Sequence, residues 1–286
     1  MKLFSARFDP EYPDLKQILL LVVLYFASGI IFYIIATIPV LFGKLIGWEF
    51  SLITYLDYLR LIGSTFINIP LIIYVSRKSG TSFNWELKSP GIQLILLLAL
   101  LAISVKIIVQ PLENPVEYFR ALIGGSVRQL DFISPDLNFY MLITFIFSVV
   151  ITPIVEEIFF RKQILGLLQK KYSPAVSIVI GSALFACAHQ RLNDIGALFI
   201  SGLLYSFVYY KTKSIEASIV LHSINNLSVI FMKYEFIDIS GMHVFKFIGA
   251  MVICAIVILL IISFINRNKK IQADYESDEQ LPHKSF

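Results

Sequence analysis

Long runs of hydrophobic residues, separated by short polar connections, make up most of the chain. An apolar run of about 20 residues is long enough to cross the ~30 Å hydrocarbon core of a bilayer as an α-helix. We identify eight such segments, at residues 18–41, 59–75, 92–109, 139–155 with helix continuing beyond it, 174–189, 195–210, 215–232 and 244–265. The pattern predicts an all-α, polytopic membrane protein of about eight transmembrane helices.

The first segment and the basic residues predict the orientation. The first segment follows three acidic residues and runs well beyond the length of a signal-peptide core, so we expect a retained span. Sixteen Lys and Arg residues fall in connections on one predicted side and seven on the other. Because basic residues favour the cytoplasmic side, and the span count is even, we expect both termini in the cytoplasm.

Two acids and a guanidinium stand at the end of the fourth segment. Residues 139–155 carry no charge, and Glu156, Glu157 and Arg161 follow directly. Arg161 lies four residues after Glu157, the spacing of a same-face ion pair, whereas Glu156 points about 100° away. Acids at this depth mark functional sites by default, which leaves Glu156 as the candidate for chemistry. The alternative is a structural cluster of all three with Lys162.

A histidine ends the fifth segment. The connection at residues 170–174 predicts a hairpin in which Glu156 and His189 lie about equally far from the turn. In antiparallel helices that rise ~1.5 Å per residue, the two side chains reach similar heights. Phe185 shares a face with His189 at i, i+4.

The remaining segments add one polar pair. In the seventh segment, His222 and Asn226 are also spaced i, i+4 and present a ring nitrogen and an amide to one point. We interpret the small residues of the sixth segment as helix packing. Lys106, at the outer end of the third segment, is expected to extend its stem to the interface. Cys187 is expected to be a small core residue, because an apolar setting disfavours the reactive thiolate.

Composition supports a membrane protein and excludes other classes. Hydrophobic residues make up 57% of the chain and charged residues only 15%, against ~25% in soluble domains. The net charge of +4 shows no basic face for nucleic acid, and two cysteines in apolar segments predict neither disulfides nor a thiolate metal site.

Together, Glu156, His189, His222 and Asn226 could face one cavity. A carboxylate and an imidazole can take a proton from water and return it to a leaving amine. A second imidazole and an amide can stabilise an oxyanion, so hydrolysis of an amide bond fits best and needs no cofactor. Alternatively, Glu156, His189 and His222 could bind zinc with an open position for water.

These residues resemble the CAAX prenyl protease and bacterial Abi family, also called CPBP intramembrane proteases. The resemblance rests on Glu156-Glu157-xxx-Arg161, Phe185-xxx-His189 and His222-xxx-Asn226, in the family's order and on successive apolar helices. It implies that Glu156 and His189 activate water, that His222 and Asn226 polarise the scissile carbonyl, and that Glu157, Arg161 and Phe185 support them. The family's eukaryotic members cleave prenylated CAAX proteins, and bacterial members are linked to bacteriocin immunity and peptide maturation.

The apolar segments, together with a resemblance that covers roughly residues 139–234, give the predicted organisation. Residues 1–136 form a three-span scaffold with a connector on the outer surface, 137–236 the catalytic core in helices four to seven, 237–266 the last span, and 267–286 a charged cytoplasmic tail. We expect a bacterial cytoplasmic membrane protein whose partners are lipids and a peptide or lipidated protein. The oligomeric state is left open.

Two other classes of function remain possible at this stage. A non-catalytic protein, such as a bacteriocin-immunity protein, could use the same polar core only to hold its helices together. A proton-coupled transporter could use buried acid and histidine pairs as a relay, but neither inverted repeats nor broken helix pairs are evident in the sequence.

Overall fold

The computed structural model describes residues 12, 14–47, 52–80, 90–113, 142–233 and 244–267. Within these residues the secondary structure is entirely helical. Eight helices are described: α1 (Leu15–Leu45), α2 (Leu52–Ser79), α3 (Ile92–Glu113), α4 (Leu142–Leu168), α5 (Pro174–Ala188), α6 (Ile195–Thr212), α7 (Ile215–Lys233) and α8 (Val244–Arg267). A short 3₁₀ turn, Leu192–Asp194, precedes α6.

Each of the eight predicted segments coincides with one of these helices. By length and composition, α1, α3, α4, α6 and α8 could each cross a membrane, while α5 and α7 are shorter apolar helices. Helix α2 is long but more polar, with Arg77 and Lys78 in its last turn. The predicted fold class, an all-α polytopic membrane protein, is confirmed.

The described chain divides into two compact units. The first contains residues 1–85 and 131–173, and therefore α1, α2 and α4. In it, α2 packs against both α1 and α4. The Tyr55 hydroxyl donates to the Ala36 carbonyl across the α1–α2 contact at 2.7 Å. The Gln163 amide of α4 donates to the Ile72 carbonyl at 3.0 Å and to the Ser76 hydroxyl at 2.6 Å, both on α2.

The second unit contains residues 86–130 and 174–286, and therefore α3 and α5–α8. Helix α3 packs against α6, α7 and α8, and α5 packs against α6. Helices α5 and α6 approach each other closely at Gly202, where an added Cβ would lie 3.1 Å from the Ser182 Cβ and 3.2 Å from the Phe185 Cδ1. A glycine permits this approach because it has no side chain.

Two of the sequence-based expectations are wrong. Lys106 is buried in the second unit, so its stem does not run along the surface to the interface. Cys187 is exposed rather than a core residue. In both cases the residue's position along an apolar helix was known, but the face of the helix that packs against its neighbours was not.

Some expectations concern residues that are not described. The predicted outer-surface connector at 114–136 and the tail beyond residue 267 lie outside the described ranges. The predicted functional division at residues 136, 236 and 266 stays a prediction.

Candidate active site

The two candidate acids lie in a short α-helical stretch of α4. Residues Thr152–Glu157 are α-helical, and the wider π-helical stretches Phe145–Ile151 and Ile158–Leu165 flank them. Pro153 has no amide hydrogen to donate and its ring crowds the preceding turn, which helps to explain the wider helix before it. Stretches of π-helix are uncommon and occur frequently at functional sites.

Glu157 and Arg161 form the predicted ion pair. The Arg161 Nη1 lies 2.9 Å from the Glu157 Oε1, and the two side chains are 1% and 0% exposed. The Arg161 guanidinium also lies 6.0 Å from the centre of the Phe160 ring. A buried charge requires a close partner of opposite sign, and Glu157 and Arg161 provide that partner for each other. The prediction that Glu157 is neutralised within its own helix is confirmed.

Glu156 has different neighbours in the same unit. It is 3% exposed and close enough to Tyr25 of α1 for its carboxylate and the Tyr25 hydroxyl to interact electrostatically. Tyr25 also makes a side-chain hydrogen bond with Asn68 of α2. Helices α1 and α2 of the first unit therefore contribute a linked pair of polar side chains, of which Tyr25 interacts with Glu156.

His189 lies immediately after the end of α5 and is held by Phe185. Its Nδ1 is 2.8 Å from the Phe185 carbonyl oxygen, and the two rings meet edge to face with centres 4.6 Å apart. A carbonyl oxygen only accepts hydrogen bonds, so Nδ1 carries the proton in this contact. When the ring is neutral, this tautomer leaves the lone pair on Nε2, the form that a general base requires.

His222 is buried in an aromatic cluster of the second unit. Its ring stacks on Tyr205 with centres 4.7 Å apart and 22° between the planes. It meets the edge of Phe185 at 5.8 Å. Phe185 thus contacts both imidazoles. The sequence predicted the Phe185–His189 pair but not the contact between Phe185 and His222. Asn226 lies one helical turn after His222 on α7 and is half-buried.

Glu156 belongs to the first unit, and His189, His222 and Asn226 belong to the second. The predicted convergence of the acid and the histidines on one cavity, and the predicted hairpin that would bring it about, stay predictions. Within each unit, the described residues place no three His, Cys, Asp or Glu side chains where they could hold a metal ion. The zinc alternative draws on both units and also stays a prediction.

Sequence reasoning missed three buried residues of these surroundings: Tyr25, Asn68 and Tyr205. Tyr25 and Asn68 were assigned to scaffold helices, and Tyr205 to a helix that only packs. A signal was present, because a phenol or amide in an apolar span requires a polar partner. For Tyr205, its i, i+4 spacing from Ser201 also placed it on the same face as small packing residues.

The described chain is thus an all-α membrane protein with a buried acid in its first unit and, in its second unit, two histidines that contact the same phenylalanine. Residues 138–228 match the family described as Type II CAAX prenyl endopeptidase Rce1-like. The matched range includes every candidate site residue from Glu156 to Asn226. The resemblance to CAAX prenyl proteases is confirmed.

Two curated bacterial proteins are similar to this chain. One is the "Putative membrane peptidase YdiL" of Bacillus subtilis (strain 168), 29% identical over 145 residues, which cover 51% of this chain and 59% of that protein. The other is the "Membrane-embedded CAAX protease MroQ" of Staphylococcus aureus (strain USA300), 28% identical over 168 residues, which cover 54% of this chain and 65% of that protein. The match therefore spans less than two thirds of either relative. No solved structure gives a significant match.

Proposed function

We propose that this protein is an intramembrane endopeptidase that hydrolyses a peptide bond in a peptide or lipidated protein near the cytoplasmic leaflet. One observation carries the proposal: within the segment that matches CAAX prenyl endopeptidases, Glu157 is paired with Arg161 and the adjacent Glu156 is a second buried carboxylate, to which we assign the chemistry. The similarity to a membrane peptidase and a membrane-embedded CAAX protease supports the same class of reaction.

The proposed mechanism assigns a separate task to each group. Glu156, oriented together with the Nε2 of His189, takes a proton from water as the water oxygen bonds to the scissile carbonyl carbon. His222 and the Asn226 amide donate hydrogen bonds to the oxyanion of the tetrahedral intermediate. The carbon–nitrogen bond then breaks, and Glu156 returns its proton to the leaving amine.

The first prediction concerns Glu156→Gln. The amide keeps the size of the side chain but cannot take a proton, so we expect cleavage to fall by at least about 100-fold, the lower range for general-base catalysis. The measurement uses purified protein in liposomes, with a CAAX-terminated peptide in farnesylated and unmodified forms, and mass spectrometry of the products.

Glu216→Gln is the matched control. Glu216 lies in the first turn of α7 and accepts a hydrogen bond from the Ser214 hydroxyl at 2.7 Å, which a glutamine oxygen can also accept. We expect this variant to cleave at the wild-type rate. Equal cleavage by wild type and Glu156→Gln would contradict the proposal. Protection from a bacteriocin that survives Glu156→Gln in the folded protein would instead indicate a non-catalytic immunity protein.

Metal dependence is tested in the same assay. The metal-free mechanism predicts that chelation leaves the rate unchanged. Loss of cleavage that zinc restores would instead make Glu156, His189 and His222 the candidate ligands.

A further inference from the structure

Helix α1 contributes a polar side chain to the interior of the first unit. Most of its large apolar side chains are exposed, among them Ile30, Ile34 and Ile38. Tyr25, on the same helix, is only 7% exposed. A tyrosine side chain combines an apolar ring with a polar hydroxyl. When the side chain is buried, the hydroxyl requires a hydrogen-bond partner in the interior.

The ring of Tyr25 fixes the height of its hydroxyl beside α4. It lies 6.4 Å from the Phe160 ring, centre to centre. Phe160 follows Glu156 by four residues, about one turn along α4. The ring contact therefore places the Tyr25 side chain beside the turn of α4 that runs from Glu156 to Phe160.

Asn68 supplies the second polar group. It is fully buried on α2, and its side chain is hydrogen-bonded to that of Tyr25. A buried amide without hydrogen bonds would be costly, particularly in a helix surrounded by apolar neighbours. A phenol oxygen that accepts from an amide N–H keeps its own hydrogen to donate to another group.

We propose that Tyr25 and Asn68 are positioning residues for Glu156. The Asn68 amide donates to the Tyr25 oxygen, and the Tyr25 hydroxyl donates to one oxygen of the Glu156 carboxylate. The other carboxylate oxygen is then held in a fixed orientation for the proton of the attacking water. This inference rests on the proposed function, and it gives a role in the reaction to two helices that the sequence assigned to scaffold.

The test is Tyr25→Phe, assayed in liposomes with the same peptides. Phenylalanine keeps the ring contact with Phe160 and removes only the hydroxyl. Loss of a hydrogen bond to a charged group corresponds to a decrease of roughly 10- to 100-fold in kcat. KM should change little, because the hydroxyl acts on the base rather than on the substrate.

Asn68→Leu and the double variant test whether the two residues act in series. Leucine preserves the volume of the side chain and removes the amide. If the chain of hydrogen bonds acts through Tyr25, the double variant should have about the same kcat as Tyr25→Phe alone. Independent structural effects would instead multiply, and that result would overturn the proposal.

Tyr55→Phe is the matched control. It also removes a tyrosine hydroxyl from the first unit, but this hydroxyl donates to the Ala36 carbonyl of α1. We expect its kcat to equal that of the wild type. A wild-type kcat in Tyr25→Phe, or an equal loss in Tyr55→Phe, would overturn the inference. If one of these results is obtained while Glu156→Gln is inactive in the same assay, only the inference about Tyr25 and Asn68 fails and the proposed function survives. If Glu156→Gln cleaves normally, the proposed function itself fails.

Discussion

At the scale of single residues, α4 holds an ion pair between Arg161 and Glu157 whose two side chains are almost completely buried. Arg161 is among the largest fully buried side chains in the described chain. Removing one partner of a buried pair leaves the other charge without compensation, whereas removing both can be nearly neutral. The pair therefore matters for stability as well as for the chemistry proposed for Glu156.

We predict that Glu157→Gln destabilises the protein by about 3–5 kcal/mol, because it leaves the buried guanidinium uncompensated. Thermal or denaturant unfolding in detergent micelles measures the loss. The double variant Glu157→Gln/Arg161→Met, which removes both charges at similar volume, should be more stable than Glu157→Gln alone. A double variant that is less stable than either single variant would contradict this explanation.

Contacts within one helix were predictable from the sequence, and contacts between helices were not. The Glu157–Arg161 and Phe185–His189 pairs follow directly from the i, i+4 spacing, and both are present. The hydrogen bond between Tyr25 and Asn68 joins residues on two helices, and its existence depends on how those helices are rotated. An apolar run reports that a helix is present but not which face it buries.

At the scale of helices, the close approach of α5 and α6 at Gly202 positions the ring that touches both imidazoles. Ser182 and Phe185 of α5 face this glycine. A side chain at residue 202 would push on Phe185, and through it on His189 and His222. The helix that the sequence assigned to packing thus helps to set the geometry of the candidate site.

We predict that Gly202→Ala destabilises the protein by about 1–3 kcal/mol, the usual cost of overpacking a tight contact. Its cleavage activity should also fall. Gly249→Ala on α8 is the matched control, because an added Cβ there meets no atom within 4 Å. It should be neutral or stabilising by up to about 1 kcal/mol, since alanine favours a helix. Unfolding in micelles gives both values, and equal effects at the two sites would refute the prediction.

The π-helical stretches of α4 show a second limit of sequence reasoning at this scale. The spacing of apolar residues predicted an ordinary helix with 3.6 residues per turn. A proline such as Pro153 indicates that a helix can be distorted near it, but the wider turns before and after the acids left no distinct pattern in the sequence. The existence and length of α4 were predictable, whereas its local winding was not.

At the scale of the whole molecule, the distribution of Lys and Arg makes a prediction about topology. An even number of spans with most basic residues on one side places both termini in the cytoplasm. We expect epitope tags at the two ends to be digested by protease in inverted membrane vesicles and protected in right-side-out vesicles. Tags that become accessible on opposite sides would require an odd number of spans.

The length of α1 has a consequence for how the protein responds to its lipid environment. Its 31 residues span about 46 Å at 1.5 Å per residue, more than the ~30 Å thickness of the hydrocarbon layer. A helix that is too long for its bilayer accommodates the mismatch by tilting, and the tilt changes with the acyl-chain length of the surrounding phospholipids. Because Tyr25 is carried on this helix, we expect thicker or thinner membranes to shift the phenol relative to Glu156, so that the proposed cleavage rate would depend on acyl-chain length.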